Sequence, residues 1–200
     1  LIASPAHAGD PEVFSLDLSA DPNEPDPLVY GGVPSQMCAW PTTVFLGGCT
    51  GTLVSPDVVI YAAHCGSNYP NIRFGPQGNN RNVPTSRCRA YNGGPGSGDD
   101  WAYCVLQQPQ TDIPIVPPLM GCETDVLQPG QEVTIVGYGN TDTNMFGVKH
   151  EVVTTINSIT GANEAHIGGG GLDSCQGDSG GPVYVQMPPD QTDGSWRVFG

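Results

Sequence analysis

Short runs of β-branched and apolar residues, broken by glycine, proline and aspartate, are the main pattern along this chain. Such runs are typical of short β-strands bounded by turns. No internal repeat or coiled-coil pattern accompanies them. We predict two groups of strands, at 43–46, 51–54 and 58–62 and then at 132–137, 149–156 and 183–186. The pattern therefore predicts an all-β protein.

A proline-rich segment separates the two groups of strands. Positions 109, 114, 117 and 118 are all proline, and proline is excluded from central strands. We therefore predict an extended linker at 111–118, between a first unit at 29–110 and a second at 119–200. A length of 200 residues suits one domain, or two small barrels that share a cleft. The polar stretch at 66–82 is predicted to be a loop.

The composition of the chain excludes some kinds of partner and indicates the compartment in which the protein works. The chain holds 28 glycines, 20 prolines and 7 cysteines, and its formal net charge is −14. This acidity argues against nucleic acid and anionic membranes as partners, because both require a basic surface. No stretch approaches the length of a membrane-spanning helix. The cysteines indicate an oxidising, extracellular compartment.

The first 28 residues differ from the rest of the chain. Residues 1–8 end in Ala-His-Ala, which is typical of the cleavage site of a secretory signal peptide. A flexible leader without a special role is the alternative. Residues 9–28 are acidic and proline-rich, and they have too few apolar residues to order themselves. This second segment is either a linker or a propeptide.

One stretch carries the clearest chemistry. Ser179 lies in the run Gly-Asp-Ser-Gly-Gly-Pro at 177–182, and glycine lets another molecule approach the main chain closely. A serine hydroxyl needs a base to take its proton and a third group to orient that base. His64, in Ala-Ala-His-Cys at 62–65, and Asp100, which precedes Trp-Ala, are the candidates. Their order is His, Asp, Ser.

These motifs together resemble those of the trypsin/chymotrypsin family of serine proteases, in a secreted and bacterial form. Val-Tyr-Gly-Gly at 29–32 and Gly-Tyr-Gly at 137–139 match the family as well. The resemblance implies two six-stranded antiparallel β-barrels with the active site in the cleft between them. In the family, a closing strand and a C-terminal helix would follow Gly200, so we expect the second barrel to be incomplete here.

The resemblance also assigns roles to the motif residues. It implies that Ser179 is the nucleophile, His64 the general base and Asp100 the residue that orients His64. The backbone N–H groups of Gly177 and Ser179 would form the oxyanion hole.

A histidine in apolar surroundings is more often a core residue, but the residues around His64 match the motif. The three histidines without such a motif are expected at the surface, and these are His7, His150 and His166. Asp99 is expected to be a solvated loop acid.

Specificity and activation follow from the same resemblance. Asp173 lies six residues before Ser179, where trypsin-type members place the acid at the base of the specificity pocket. A buried carboxylate there would favour substrate Arg or Lys; a loop acid without a role is the alternative. Val29 resembles the N-terminus that activation exposes, and its ammonium would pair with Asp178. Because Leu28 precedes the cut, the activating protease would not itself be trypsin-like.

The cysteines predict a partial disulfide framework. The resemblance implies a disulfide between Cys49 and Cys65. Cys88 and Cys104 lie on segments expected to be neighbouring antiparallel strands, which favours a bridge between them. Cys38 and Cys122 remain for each other by elimination, although sequence alone does not settle connectivity. Cys175 either has a partner beyond Gly200 or is a free thiol.

We expect a monomer that acts on proteins or peptides and needs no metal and no cofactor. The stretch 66–82 lacks carboxylates, which calcium would require as ligands. Two alternatives stay open: a protease-like binding module that has lost catalysis, and a protease of chymotrypsin- or elastase-like specificity. A binding module that has lost catalysis is expected to have a substitution at one of the three catalytic positions. His64, Asp100 and Ser179 are all present here.

Overall fold

Antiparallel strands dominate the structure, a computed structural model that describes residues 31–76, 78–91, 99–141, 145–160, 164–189 and 194–200. Within these ranges, two 3₁₀ helices accompany the strands, at Ala63–Cys65 and Gly121–Val126. The strands in the described residues are Val33–Pro34 (β1), Thr43–Phe45 (β2), Thr50–Ser55 (β3), Val58–Tyr61 (β4), Asn71–Phe74 (β5), Arg81–Ala90 (β6), Ala102–Leu106 (β7), Glu132–Gly137 (β8), His150–Ile159 (β9), Ala165–Ile167 (β10), Val183–Gln186 (β11) and Trp196–Val198 (β12).

Strands β2 to β7 form a closed barrel in the order β2-β3-β4-β7-β6-β5. Side chains alternate between the inside and the outside of this barrel, as the pleat of a strand requires. On β7, Ala102, Cys104 and Leu106 are buried, while Tyr103 and Val105 between them are partly exposed. The buried set continues around the barrel through Val44, Leu46, Leu53, Val59, Ile72, Phe74 and Val83. The expected all-β class is confirmed.

The remaining strands form a second antiparallel sheet in the order β1-β9-β8-β11-β12, with β10 also paired to β9. Five of the six residues of β8 are buried, so this central strand is covered on both faces. Strand β1 lies in the part of the chain assigned by sequence to the first unit. It pairs instead with β9, through Val33 opposite Glu151. The start of the described chain therefore belongs to the second sheet.

The strand predictions succeed best where apolar residues are continuous. The bounds of β8 and β11 agree with the prediction, and β9 extends to Ile159 beyond the predicted end at 156. Strand β5 lies within 66–82, so the loop predicted there is wrong in part. Its buried residues, Ile72 and Phe74, alternate with the more exposed Asn71 and Arg73. Two apolar residues in a polar context are a weak strand signal.

Two disulfides form, and both agree with the expected pairs, Cys49–Cys65 and Cys88–Cys104. The second joins cross-strand neighbours on β6 and β7. Cys38 and Cys122 are both exposed and unbonded, so the pairing inferred by elimination is wrong. Elimination failed because it assumed that every cysteine before Gly200 except Cys175 has a partner. Cys175 is a half-buried free thiol.

The three histidines that were expected at the surface differ in their actual positions. His150, expected at the surface, is completely buried, because it lies on the inward side of β9 opposite Gly137 of β8. His166 is exposed, as expected. His7 lies outside the described residues, as do the signal and propeptide segments at 1–28 and Val29. In the part of the chain that the structure describes, no helix has the length and apolar character needed to cross a membrane.

Contacts of Tyr184 fix the second sheet against the first barrel. Its buried hydroxyl lies 2.8 Å from Thr42 Oγ1 and 3.1 Å from Thr43 Oγ1 of the barrel. The Tyr184 ring stacks on Trp40, with ring centroids 4.4 Å apart. Buried polar groups cost free energy unless they are hydrogen-bonded. The hydroxyl of Tyr184 and the two threonine hydroxyls are hydrogen-bonded to each other. The second sheet and the first barrel therefore have a defined relative position.

Candidate active site

His64 and Asp100 meet at one edge of the first barrel. His64 lies in the 3₁₀ turn that follows β4, and Asp100 lies just before β7. Strands β4 and β7 pair with Tyr61 opposite Ala102, so the two side chains leave the barrel side by side. His64 Nδ1 lies 2.6 Å from Asp100 Oδ2, and the His64 backbone N–H donates to Asp100 Oδ1 at 2.8 Å.

The Asp100 carboxylate determines how His64 presents its imidazole. Burial alone would raise the pKa of Asp100, but hydrogen bonds from the side chain and backbone of His64 and from the Ala63 N–H lower it overall. An ionised carboxylate only accepts hydrogen bonds. The proton between the two side chains therefore belongs to Nδ1, and Nε2 is left with a lone pair. His64 is thereby arranged as a base.

Ser179 is held against the histidine-bearing segment by its main chain. The Thr50 N–H donates to Ser179 O at 3.0 Å. The next residue, Gly180, has φ +77° and packs tightly on Ala62 N, Thr50 O and Tyr61 Cβ. A side chain at position 180 would collide with this backbone. Only glycine therefore lets the loop at 174–182, called the serine loop below, come so close.

Gly177 occupies an equally restricted place. It is buried, its φ is +102°, and a Cβ there would lie 2.6 Å from the Phe146 ring and 2.9 Å from Gly139 Cα. The peptide before it is fixed by a 2.7 Å hydrogen bond from Asn140 N–H to Gln176 O. The glycine at this position is therefore required by both conformation and space.

Asp178 is buried beneath the serine loop. Its Oδ1 accepts from Gly139 N–H at 2.7 Å and its Oδ2 from Cys175 N–H at 2.8 Å. Burial raises the pKa of Asp178, while these two backbone hydrogen bonds and the nearby His150 oppose the rise. No salt bridge to Asp178 occurs among the described residues. The site thus holds a buried carboxylate that lacks a full countercharge within the described part of the chain.

Asp173 does not have the burial that the sequence predicted for it. The residue is exposed, and its Oδ1 accepts a 2.8 Å hydrogen bond from the Ser174 N–H. The carboxylate lies beside Gly168, where a Cβ would come within 2.8 Å of Oδ1. In this structure, Asp173 is an exposed acid on a glycine-rich loop.

One cluster near the site has the residue types of a metal centre but lacks free cysteine thiolates. Cys49, His64 and Cys65 lie close together. Both cysteines belong to one disulfide, and a metal ion binds the thiolate form of cysteine. This cluster is therefore not available as a metal site.

Thr50, the first residue of β3, contacts the serine loop but was not predicted from the sequence as part of the site. This buried residue donates its hydroxyl to Gly177 O at 2.9 Å and accepts from the Tyr138 N–H at 3.0 Å. Threonine is an ordinary strand residue, so its type gave no signal. Its position directly after Cys49 was the only available indication.

Comparison with known proteins gives a consistent set of relatives. A protein-family model described as Trypsin matches residues 29–188. The chain is 28% identical over 205 residues to a trypsin-like protease of Streptomyces glaucescens, covering 86% of this chain and 72% of that protein. It is 30% identical over 161 residues to trypsin of Saccharopolyspora erythraea, covering 68% and 70%. Trypsin-2 of Salmo salar is 29% identical over 188 residues, covering 79% of both chains.

Proposed function

Because this chain belongs to the trypsin family of serine endopeptidases, we propose that it hydrolyses peptide bonds with His64, Asp100 and Ser179. The observation that carries the assignment is the short hydrogen bond between His64 Nδ1 and Asp100 Oδ2, at 2.6 Å. It fixes the tautomer in which Nε2 accepts a proton. The serine loop is bound by its backbone to the same side of the barrel through Thr50 N–H and Ser179 O.

The reaction follows the general mechanism of the family. Ser179 Oγ attacks the substrate carbonyl carbon while His64 Nε2 takes the hydroxyl proton, and the Asp100 carboxylate stabilises the imidazolium. The backbone N–H groups of Gly177 and Ser179 donate to the carbonyl oxygen as it gains negative charge. His64 then gives its proton to the leaving amine, and water releases the acyl group by the same steps.

The protein is made as a zymogen and is activated by a second protease that cuts between Leu28 and Val29. The acidic segment 9–28 serves as the propeptide, and the new ammonium of Val29 pairs with Asp178. This proposal is supported by the buried carboxylate of Asp178, since a buried charge needs a partner. N-terminal sequencing of active enzyme should begin at Val29. Full activity with residues 9–28 still attached would exclude this route of activation.

The proposed substrates are extracellular proteins or peptides, cut after Arg or Lys. The support is the position of Asp173 relative to Ser179, which matches the trypsin-type motif. The signal-like residues 1–8 and the two disulfides support secretion. The enzyme acts as a monomer, without a metal or a cofactor. Cleavage after aromatic or small residues is the alternative specificity.

Labelling with an organophosphonate serine probe tests the catalytic assignment. After activation, the wild-type protein should be labelled and the Ser179→Ala variant should not. Ser174→Ala is a matched control, because Ser174 is an exposed serine close by in the same loop, and this variant should be labelled normally. Equal labelling of the wild type and Ser179→Ala would refute the assignment, whereas no labelling of the activated wild type would favour a binding module that has lost catalysis.

A further inference from the structure

We propose that Arg73 is a specificity-determining residue that binds an acidic side chain on the leaving-group side of the substrate. The apolar stem of that side chain would lie on the ring of Phe146, which packs against Gly177. This inference rests on the proposed function, in which the Gly177 N–H donates to the reacting carbonyl oxygen.

Arg73 is a cation without a carboxylate partner among the residues that the structure describes. The protein carries 20 acidic residues and only 6 basic ones, and a half-buried arginine is normally paired. Arg81 and Arg197, in contrast, both form ion pairs. Burial lowers the pKa of Arg73, and only Tyr138 opposes the effect. A substrate carboxylate would supply the missing countercharge.

Aromatic rings and one carbonyl group hold the Arg73 guanidinium in place. Its Cζ lies 4.0 Å from the centroid of the Phe45 ring and 5.4 Å from that of Tyr138. Nη2 donates to Gly147 O at 2.5 Å, whereas Nε is buried without a partner. A guanidinium has five N–H donors, so most of them have no partner in the described part of the chain. Because this cation is preorganised, it loses little freedom when a carboxylate binds it.

Phe146 connects this cation to the reacting centre. A Cβ on Gly177 would lie 2.6 Å from Phe146 Cε2, so the ring covers the α-carbon of a residue whose N–H donates to the substrate. The Phe146 ring is 42% exposed, and it meets the Phe45 ring with centroids 5.6 Å apart. Gly147, which accepts the Arg73 hydrogen bond, is the next residue in the chain. Phe146 and Arg73 therefore border one surface beside the oxyanion hole.

The disulfide between Cys49 and Cys65 indicates that this surface lies on the leaving-group side. His64 gives its proton to the leaving amine, and Cys65 is its neighbour in the chain. Cys49 lies in the turn that connects β2, which ends at Phe45, to β3. The residue before the cut is assigned instead to Asp173. An extended chain advances about 3.3–3.6 Å per residue, so the second or third residue after the cut would reach the cation.

Acyl transfer measures binding on the leaving-group side separately. An ester substrate first forms an acyl-enzyme on Ser179, which then reacts with water or with an added peptide amide. In the second reaction the amino nitrogen of the peptide bonds to the acyl carbon and the ester bond to Ser179 Oγ breaks. His64 passes the amine proton to that oxygen. The ratio of aminolysis to hydrolysis therefore compares added peptides on a common acyl-enzyme.

The added peptides are the amides of Ala-Glu and Ala-Gln, and those of Ala-Ala-Glu and Ala-Ala-Gln for the third position. At one of these positions the activated wild-type protein should prefer glutamate about two- to fivefold, as for a partly exposed ion pair. High salt should reduce this preference. Arg73→Met should abolish it, because the acidic protein then only repels glutamate, and Arg73→Lys should retain part of it.

Two further variants separate the cation from general charge and from packing. Arg87→Met is the matched control, because it removes the same charge from an exposed position on β6 and should keep the glutamate preference. Phe146→Ala should lower the aminolysis ratio about threefold for glutamate and glutamine peptides alike, since it removes apolar contact surface. A general disturbance of the oxyanion hole would slow attack by water and by amines equally and leave the ratio unchanged.

The outcomes separate this inference from the proposed function. If the wild type prefers glutamine at both positions, or if Arg73→Met and Arg87→Met give equal ratios, the inference is wrong while the protease assignment stands. If the activated wild type forms no acyl-enzyme, the protease assignment itself has failed. Should Arg73→Met not fold, Arg73→Gln removes the charge but keeps a hydrogen-bond donor, and the same loss of preference is expected.

Discussion

The Asp178 carboxylate occupies the space that a side chain at Gly137 would need. A Cβ on Gly137 would lie 2.7 Å from Asp178 Cγ, and one on Gly139 would lie 2.6 Å from the same atom. Both glycines flank Tyr138, on the strand end that passes beneath the serine loop. The two glycines of the Gly-Tyr-Gly motif therefore leave the space that the buried Asp178 carboxylate occupies.

Gly137→Ala should displace Asp178 and destabilise the fold. The added methyl group meets a buried, hydrogen-bonded side chain, and overpacking of this kind costs about 1–3 kcal/mol. Denaturant unfolding in a Ser179→Ala background, which prevents self-digestion, measures the loss. Gly48→Ala is the control, because a Cβ at Gly48 meets nothing within 4 Å. Equal stability of the two variants would contradict the tight contact between Gly137 and Asp178.

Local motifs allowed much of the candidate site to be predicted from sequence. His64 and Asp100 were found because short runs around them are specific, and the structure brings their side chains together. The family resemblance implied a six-stranded barrel, and the first barrel has six strands. The hydrophobic pattern, however, predicted only some of these strands. Strand β5 was missed because Ile72 and Phe74 are its only fully buried residues. Such a strand becomes evident only from its pairing with neighbouring strands in the barrel. The periodicity of the sequence contains no information about that pairing.

Other features depended on contacts between residues far apart in the sequence. The hydrogen bond from the Thr50 hydroxyl to Gly177 O joins residues 127 positions apart, and neither residue type indicates that the two are in contact. His150 was expected at the surface for lack of a motif, but burial is decided by which side of β9 it lies on. The exposure of Asp173 likewise depends on the packing of its loop. Register and packing, unlike motifs, are properties of the assembled sheet.

Asp100→Asn should lower kcat by several orders of magnitude while leaving the fold intact. The side-chain amide can donate a hydrogen bond to Nδ1, which favours the tautomer whose Nε2 carries the proton. His64 would then be unable to take the proton of Ser179, and the same change costs about 10⁴-fold in the best-studied enzyme of this type. Steady-state kinetics on a peptide amide substrate measures the effect.

Asp99→Asn is the matched control for this change. Asp99 is the adjacent, exposed acid, so its variant should keep kcat within about twofold of the wild type. Similar losses in the two variants would show that Asp100 acts only through the general negative charge of this loop.

Lys149 should make the stability of the protein depend on pH in the alkaline range. Its buried Nζ donates to the carbonyl oxygens of Ala39 and Trp40, and burial lowers the pKa of Lys149 from 10.5 to about 8. Between these two values the unfolded chain binds a proton that the folded chain lacks. The free energy of unfolding therefore rises with pH across this window, by up to about 3 kcal/mol from this group.

Lys149→Met tests this pH dependence. The variant loses two hydrogen bonds at every pH, so its stability is lower throughout, but its alkaline rise should disappear. Unfolding by urea at several pH values between about 8 and 10.5, again in the Ser179→Ala background, gives the two slopes. Parallel slopes for the parent protein and the Lys149→Met variant would mean that the buried amine keeps an ordinary pKa.

Asp173→Ser should abolish the proposed preference for Arg and Lys while leaving Ser179 reactive. The carboxylate is exposed in this structure, so a substrate side chain can reach it, and a guanidinium can form two parallel hydrogen bonds with it. A peptide-library profile of the activated wild-type enzyme should favour Arg over Lys at the residue before the cut. In Asp173→Ser this preference should fall by at least about tenfold, with phosphonate labelling of Ser179 unchanged. Asp125→Ser removes an exposed acid from the 3₁₀ helix at Gly121–Val126 and should leave the profile as it was. A wild-type profile dominated by aromatic or small residues would instead mean that Asp173 is a loop acid without a role in specificity.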